Sequence, residues 1–253
     1  MTLPAGKAPI LIGNPVSPYV RKVLVACAVK GLKPQLDPIV PFMGNDAFTA
    51  VSPLRRVPVW MDDQVTLSDS TVILEYLEDR YPAPAMMPKS PADRARARWL
   101  EEYADTRIGD VFIWRLFYQS IIRPFVWQEE TDAAVVTQAR EVEGPEIFDY
   151  IERELPSQGF LFGDLTNADV ALAVSFANAR WSRFEPDPAR WPKLVAWLAK
   201  MDQETPLGAL NRAGSKVLKA HPAEHRALLP QLGLEVSERS WAGAVPKRGV
   251  FSV

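Results

Sequence analysis

Apolar residues fall in two rhythms along the chain. From residue 10 to residue 81 short apolar runs alternate with helical stripes, and beyond residue 90 only the helical rhythm remains. Ile10-Leu11-Ile12-Gly13 reads as a strand that turns through Asn14-Pro15-Val16 and feeds an amphipathic segment reaching Lys30-Gly31-Leu32. Ser17 stands where an N-cap belongs, Pro18 at the first helical position, and Gly31 at the C′ position. Gln35-Leu36-Asp37-Pro38-Ile39-Val40 is a short strand interrupted by proline, which suits a sheet edge. Residues 41–51 read as loop with one helical turn. Val57-Pro58-Val59-Trp60-Met61 and Val65-Thr66-Leu67 flank the turn Asp62-Asp63-Gln64 and predict a hairpin. Ser68-Asp69-Ser70-Thr71 then offers caps for a helix with the stripe Val72, Ile73, Tyr76 and Leu77, ending before Pro82. The order β-α-β-(α)-β-β-α predicts a small mixed sheet covered by helices.

Tyr81-Pro82-Ala83-Pro84-Ala85-Met86-Met87-Pro88 is rich in proline and poor in charge, as an interdomain linker is. Helical periodicity then predicts helices over residues 92–121, 131–155, from Thr166 onward, 192–204 and 206–220. The domain boundaries expected are 1–83 for the α/β domain, 84–90 for the linker and 91–220 for an all-helical domain. Residues 221–253 hold several prolines and glycines among few apolar clusters and form an extension with no predicted fold. Thr166-Asn167-Ala168-Asp169 has the form of a capping box, a folding signal rather than a chemical one.

Composition narrows the function without assigning it. Of 253 residues 47% are hydrophobic and 24% charged, ordinary values for a globular chain. A formal net charge of −2 with no basic run argues against a nucleic-acid partner, and no apolar stretch is long enough to span a bilayer. Residues 1–9 lack the apolar core of a secretory signal, so a cytoplasmic location is expected. The lone Cys27 falls inside the first helical stripe and reads as a small buried hydrophobe. His221 and His225 stand four apart with no accompanying carboxylate or cysteine pattern, so no metal site is expected. The candidate chemistry is at Ser17: a hydroxyl at a strand-to-helix junction either caps the helix or faces a cleft and stabilises an anion there.

Four segments together resemble the glutathione S-transferase family over residues 9–205. They are Ser17-Pro18-Tyr19-Val20-Arg21-Lys22-Val23, Ser52-Pro53-Leu54-Arg55-Arg56-Val57-Pro58-Val59, residues 67–77 beginning Leu67-Ser68-Asp69-Ser70, and Gly163-Asp164-Leu165-Thr166-Asn167-Ala168-Asp169. The resemblance implies a thioredoxin-like N-terminal domain followed by an all-α helical domain. Its Ser-Pro start is similar to the serine-type branches, such as tau and zeta. It further implies that Ser17 activates the thiol of glutathione as co-substrate, with Tyr19 the alternative hydroxyl. Val57 and Pro58 match the family's cis-proline site, where the Val57 backbone would pair with the cysteinyl part of glutathione; an ordinary trans proline opening a strand is the other reading. Asp69 and Ser70 match the pair that holds the γ-glutamyl group, and Arg56 is placed to reach the glycine carboxylate. Arg107, Val111 and Trp114, spaced i, i+4 and i+7, would line the pocket of a small hydrophobic electrophile, with Tyr19 beside them. A homodimer engaged in detoxification is implied on the same grounds. The alternatives are a glutathione-dependent isomerase, ether-cleaving enzyme or peroxidase, or a non-catalytic binding protein that keeps the fold.

Overall fold

Ile10, Leu11 and Ile12, all buried, form strand β1 (Ile10–Ile12) inside a four-stranded sheet. The computed structural model describes residues 2–249. β1 pairs in parallel with β2 (Gln35–Asp37) and antiparallel with β3 (Val59–Met61), which pairs antiparallel with β4 (Thr66–Ser68). The spatial order is β2-β1-β3-β4. Asp37, Ile12, Val59 and Ser68 stand in one row across all four strands. Two strands are shorter than the apolar runs suggest, for one reason. Pro38 and Pro58 carry no N–H, so the ladder stops at Asp37 and starts at Val59.

Helix α1 (Pro18–Val29) is buried around most of its surface, and even Arg21 and Lys22 have no accessible area. Helix α2 (Asp46–Val51) starts at Asn45, whose Oδ1 accepts the Phe48 N–H at 2.9 Å. Helix α3 (Ser70–Arg80) buries Ile73, Leu74 and Leu77. It is tied to the β3–β4 hairpin by Asp62, whose Oδ2 accepts from Trp60 Nε1 at 3.0 Å, Tyr76 Oη at 2.7 Å and Arg80 Nη1 at 3.0 Å. Asp62 Oδ1 meanwhile takes the N–H groups of Gln64 and Val65 and closes the turn.

The chain divides into two units: Met1–Pro84 with Ala209–Val253, and Ala85–Gly208. In the second unit α4 (Pro91–Tyr103), capped by Ser90, runs on into Ala104–Trp127, wound in wider π-helical turns. The helix therefore passes residue 121 and stops at Gln128, whose φ of 56° is left-handed. There follow α5 (Ala133–Gln138), α6 (Gly144–Glu154), α7 (Asn167–Trp181) and α8 (Pro192–Glu204). α9 (Pro206–Lys219) comes next, and a short α10 (His225–Leu228) lies in the tail. Phe112, Phe148 and Phe176 pack with ring centroids 5.2–5.8 Å apart, and Trp191 meets Phe148 edge-on at 4.9 Å.

The capping box forms at the head of α7, a helix buried from Asn167 to Ala179. Asp169 Oδ2 accepts the Thr166 N–H at 3.0 Å and the Thr166 hydroxyl at 2.7 Å, while its Oδ1 accepts the Leu161 N–H at 2.9 Å. Asp169 has no accessible surface, so each of these bonds replaces one to water. Thr166→Ala removes the hydroxyl donor and is expected to lower stability by about 1–3 kcal/mol. Urea unfolding checks this, and an unchanged midpoint would remove the box from the account of α7.

Candidate glutathione site

The row Asp37–Ile12–Val59–Ser68 places the candidate residues at one end of the sheet. Beyond Ile12 the chain leaves through Gly13 to Ser17, Pro58 directly precedes Val59, and Asp69 and Ser70 directly follow Ser68. Gly13 is where two of these loops press together. Its φ is +132°, and a Cβ there would stand 2.5 Å from Val20 Cγ2 and 2.9 Å from Val57 Cβ. Only glycine leaves room for α1 and the Val57 loop to approach this closely.

Ser17 is the N-cap of α1, with extended backbone (φ −69°, ψ 126°), and its Oγ accepts the Val20 N–H at 3.4 Å. That long bond uses one acceptor position, so the half-buried hydroxyl keeps its proton uncommitted among the described residues. Both readings of Ser17 are thus compatible in one side chain: it caps the helix and still has a donor to offer. The Val57–Pro58 peptide is cis. Val57 is 8% exposed, yet its N–H and C=O take no partner among the described residues.

Asp69 caps α3 with Oδ1, which accepts the N–H groups of Thr71 at 2.9 Å and Val72 at 3.3 Å. Its Oδ2 makes no hydrogen bond among the described residues, and its φ of +91° is a conformation that non-glycine residues rarely hold. Strain of about 1–3 kcal/mol at such a position persists where surrounding structure enforces it, and it clusters at ligand sites. Ser70, 4% exposed, begins α3, and its hydroxyl likewise has no partner among the described residues. Arg56 is exposed on the loop before Val57, and Tyr19 is half-buried in the first turn of α1.

Two residues that the sequence reading passed over hold these loops. Arg21 Nη1 donates to the carbonyls of Pro15 at 2.6 Å and Val16 at 2.9 Å, fixing the turn just ahead of Ser17. Arg55, at φ 51°, turns inward and donates to Thr49 Oγ1 at 2.6 Å and the Gly44 carbonyl at 2.9 Å. Ser52 completes the loop, donating to the Arg56 carbonyl at 2.8 Å and accepting the Arg56 N–H at 3.0 Å. An arginine four residues after a helix cap faces back toward that cap, so Arg21 had a sequence signal; Arg55 had none.

The other candidates belong to the second unit. Arg107 pairs with Glu143 at 3.3 Å and Glu146 at 3.1 Å. Val111 has no accessible surface, and Trp114 is half-buried with its ring 5.7 Å from that of Tyr118. Cys27 is fully buried in α1, and burial pushes its thiol up to about 12, so it holds no thiolate at neutral pH. Among the described residues no cluster of three or more His, Cys, Asp or Glu could hold a metal ion, and no helix is long and apolar enough to cross a membrane.

Known proteins supply the family. Residues 11–85 match the glutathione S-transferase N-terminal domain and residues 113–204 the glutathione S-transferase C-terminal domain. The chain belongs to the glutathione S-transferase family, and its fold is the thioredoxin-like domain plus helical domain that the four segments imply. The rat maleylacetoacetate isomerase is 29% identical over 198 residues, 75% of this chain and 85% of that one. An uncharacterized GST-like protein of Escherichia coli, YibF, is 33% identical over 96 residues, 38% of this chain, and the match spans only about half of that protein (48%). Among solved structures, a glutathione S-transferase from Rhodospirillum rubrum superposes with a TM-score of 0.68 at 24% identity, covering 93% of this chain and 96% of that one. A glutathione transferase homologue from Drosophila mojavensis, with bound glutathione, gives 0.67 at 21% identity, covering 90% and 99%.

Proposed function

We propose that the chain is a serine-type glutathione transferase acting on a small apolar electrophile. One observation carries the reading: polar groups of four residues, without partners among the described residues, stand at one end of one sheet. They are the Ser17 O–H, the Val57 backbone, Asp69 Oδ2 and the Ser70 hydroxyl. Each matches a different part of glutathione. The Val57 N–H and C=O pair with the cysteinyl backbone as an added strand. The Ser70 hydroxyl and N–H hold the γ-glutamyl carboxylate at the start of α3, while Asp69 Oδ2 meets the ammonium group. Arg56 reaches the glycine carboxylate.

Ser17 then supplies the chemistry. A free thiol has a pKa of about 8.5, so little thiolate exists at neutral pH. The Ser17 O–H donates to the sulfur, and the N-terminus of α1 adds a positive dipole end; both favour the anion. The sulfur forms its bond to the electrophilic carbon, and the leaving group departs with the bonding pair, or in an addition the adjacent carbon takes a proton. The protein would work as a cytoplasmic homodimer.

The 29% identity to a maleylacetoacetate isomerase over most of that protein's length favours a second reading on the same site. There the thiolate adds to a carbon–carbon double bond, rotation follows, and elimination returns glutathione unchanged. Product analysis separates the two, because transfer consumes glutathione and isomerisation does not. The first test is the ultraviolet absorbance of thiolate in the bound protein, titrated against pH. A band persisting well below pH 8.5 is the expected result, and saturable binding with an unshifted thiol would overturn the activation step.

A further inference from the structure

Residues 226–247 lie beyond both matched family domains, and in this chain they are bound to the row that carries the site and to the segment after it. The Leu36 N–H donates to the Glu235 carbonyl at 2.8 Å and the Ser237 N–H to the Leu36 carbonyl at 2.9 Å, so the tail adds one rung beside β2. The next residue, Asp37, is the fourth member of the row and has no accessible surface. Its two carboxylate oxygens both go to the tail: Oδ1 accepts Arg226 Nη1 at 2.9 Å, and Oδ2 accepts the Trp241 N–H at 2.7 Å. Arg226 Nη2 also donates to the Ser237 carbonyl, locking the rung in place.

Both ends of this grip reach site loops. The Asp37 carbonyl accepts the Gly13 N–H at 2.8 Å, and Gly13 is the crowded residue from which the Ser17 turn departs. Past Trp241 the tail straps residues 42–45. The Trp241 carbonyl accepts the Asn45 N–H at 2.9 Å, and the Gly243 and Lys247 N–H groups donate to the carbonyls of Met43 and Phe42. That segment supplies the Gly44 carbonyl to which Arg55 is tied, and Arg55 leads directly into Arg56 and Val57. Covering a sheet edge needs only a strand or a loop. An ion pair of this kind, with Asp37 buried and Arg226 half-exposed, contributes little net stability, and here it fixes where the tail lies against these two loops.

We propose that Arg226, with the strap it anchors, is a positioning residue for glutathione binding. This rests on the glutathione-site reading above. Arg226→Ala leaves the Asp37 carboxylate without its cation and lets the strap shift, loosening the Gly13 and Arg56–Val57 loops together. Ser17 keeps its own anchor, because Arg21 holds Pro15 and Val16 independently of the tail.

The test compares full-length wild type, Arg226→Ala, Arg226→Lys and Thr166→Ala by steady-state kinetics with an electrophilic aryl halide. In Arg226→Ala the KM for glutathione is expected to rise about tenfold, with kcat at saturating glutathione unchanged. Arg226→Lys keeps the charge but not both donors, and should fall between; it also decides the matter if the alanine variant does not fold. Thr166→Ala lowers stability in the second unit and should leave this KM alone. No rise in the folded Arg226 variants, or an equal rise in Thr166→Ala, overturns the proposal while glutathione binding stands. A wild type that binds no glutathione overturns both this proposal and the reading beneath it.

Discussion

Ser17→Ala is expected to lower turnover at saturating glutathione about 10- to 100-fold and to move the bound thiol back toward its free pKa. The size follows from the bond removed. A hydrogen bond to a charged acceptor contributes about 1.5–3 kcal/mol, and each 1.36 kcal/mol is a factor of ten in rate. The KM for glutathione should change little, because in the proposed reading Val57, Asp69 and Ser70 hold the tripeptide through other atoms. Stability should fall by about 1 kcal/mol at most, since the capping bond to Val20 is already long at 3.4 Å. Stopped-flow thiolate absorbance and turnover with an aryl halide check the two halves separately. Tyr19→Phe is the companion variant, because Tyr19 is the only other hydroxyl in the first turn of α1. Full activity in Ser17→Ala with loss in Tyr19→Phe would transfer the role; full activity in both would remove hydroxyl activation altogether.

What the sequence made legible was local. The Ser17 and Asp69 caps and the Thr166–Asp169 box could be read because capping joins a side chain to amides two or three positions away. The alternation of strands and helices was legible for a similar reason, as periodicity belongs to a single element. The candidate site itself was not visible as a place. Ser17, Val57 and Asp69 come together through the pairing of Ile12 with Val59 and of Val59 with Ser68, and register is set by the whole sheet. Adjacent arginines show the limit sharply. Arg55 and Arg56 are the same residue type, and which of them turns inward depends on the left-handed backbone at Arg55. The tail lay further out of reach. Asp37 meets Trp241 across 204 positions, and nothing periodic in residues 221–249 announces that contact.

Asp62→Asn should produce the largest loss of stability in the α/β unit, about 3 kcal/mol or more. The wild-type carboxylate accepts five hydrogen bonds: two backbone N–H groups on Oδ1, and Trp60, Tyr76 and Arg80 on Oδ2. An asparagine of the same shape presents an NH2 group to one of those two sets, so at least two donors face another donor. The consequence extends to the site. Tyr76 and Arg80 lie on α3, and the same helix begins at Asp69 and Ser70, so a loosened α3 should weaken glutathione binding as well. Burial alone would raise the Asp62 pKa. The bonds from Trp60, Tyr76, Val65 and Gln64 outweigh it and hold the group below the usual carboxylate range. The sign of the pH effect follows. With its pKa lowered by folding, ionised Asp62 stabilises the protein fully above the unfolded value of about 3.9 and loses that contribution as pH falls through the folded value. Wild type and Asp62→Asn should therefore differ most at pH 7 and converge in acid. Urea midpoints measured at pH 7 and at successive steps below pH 4 test this. A gap that stays constant to the lowest pH would assign the loss to packing of the amide rather than to the charge.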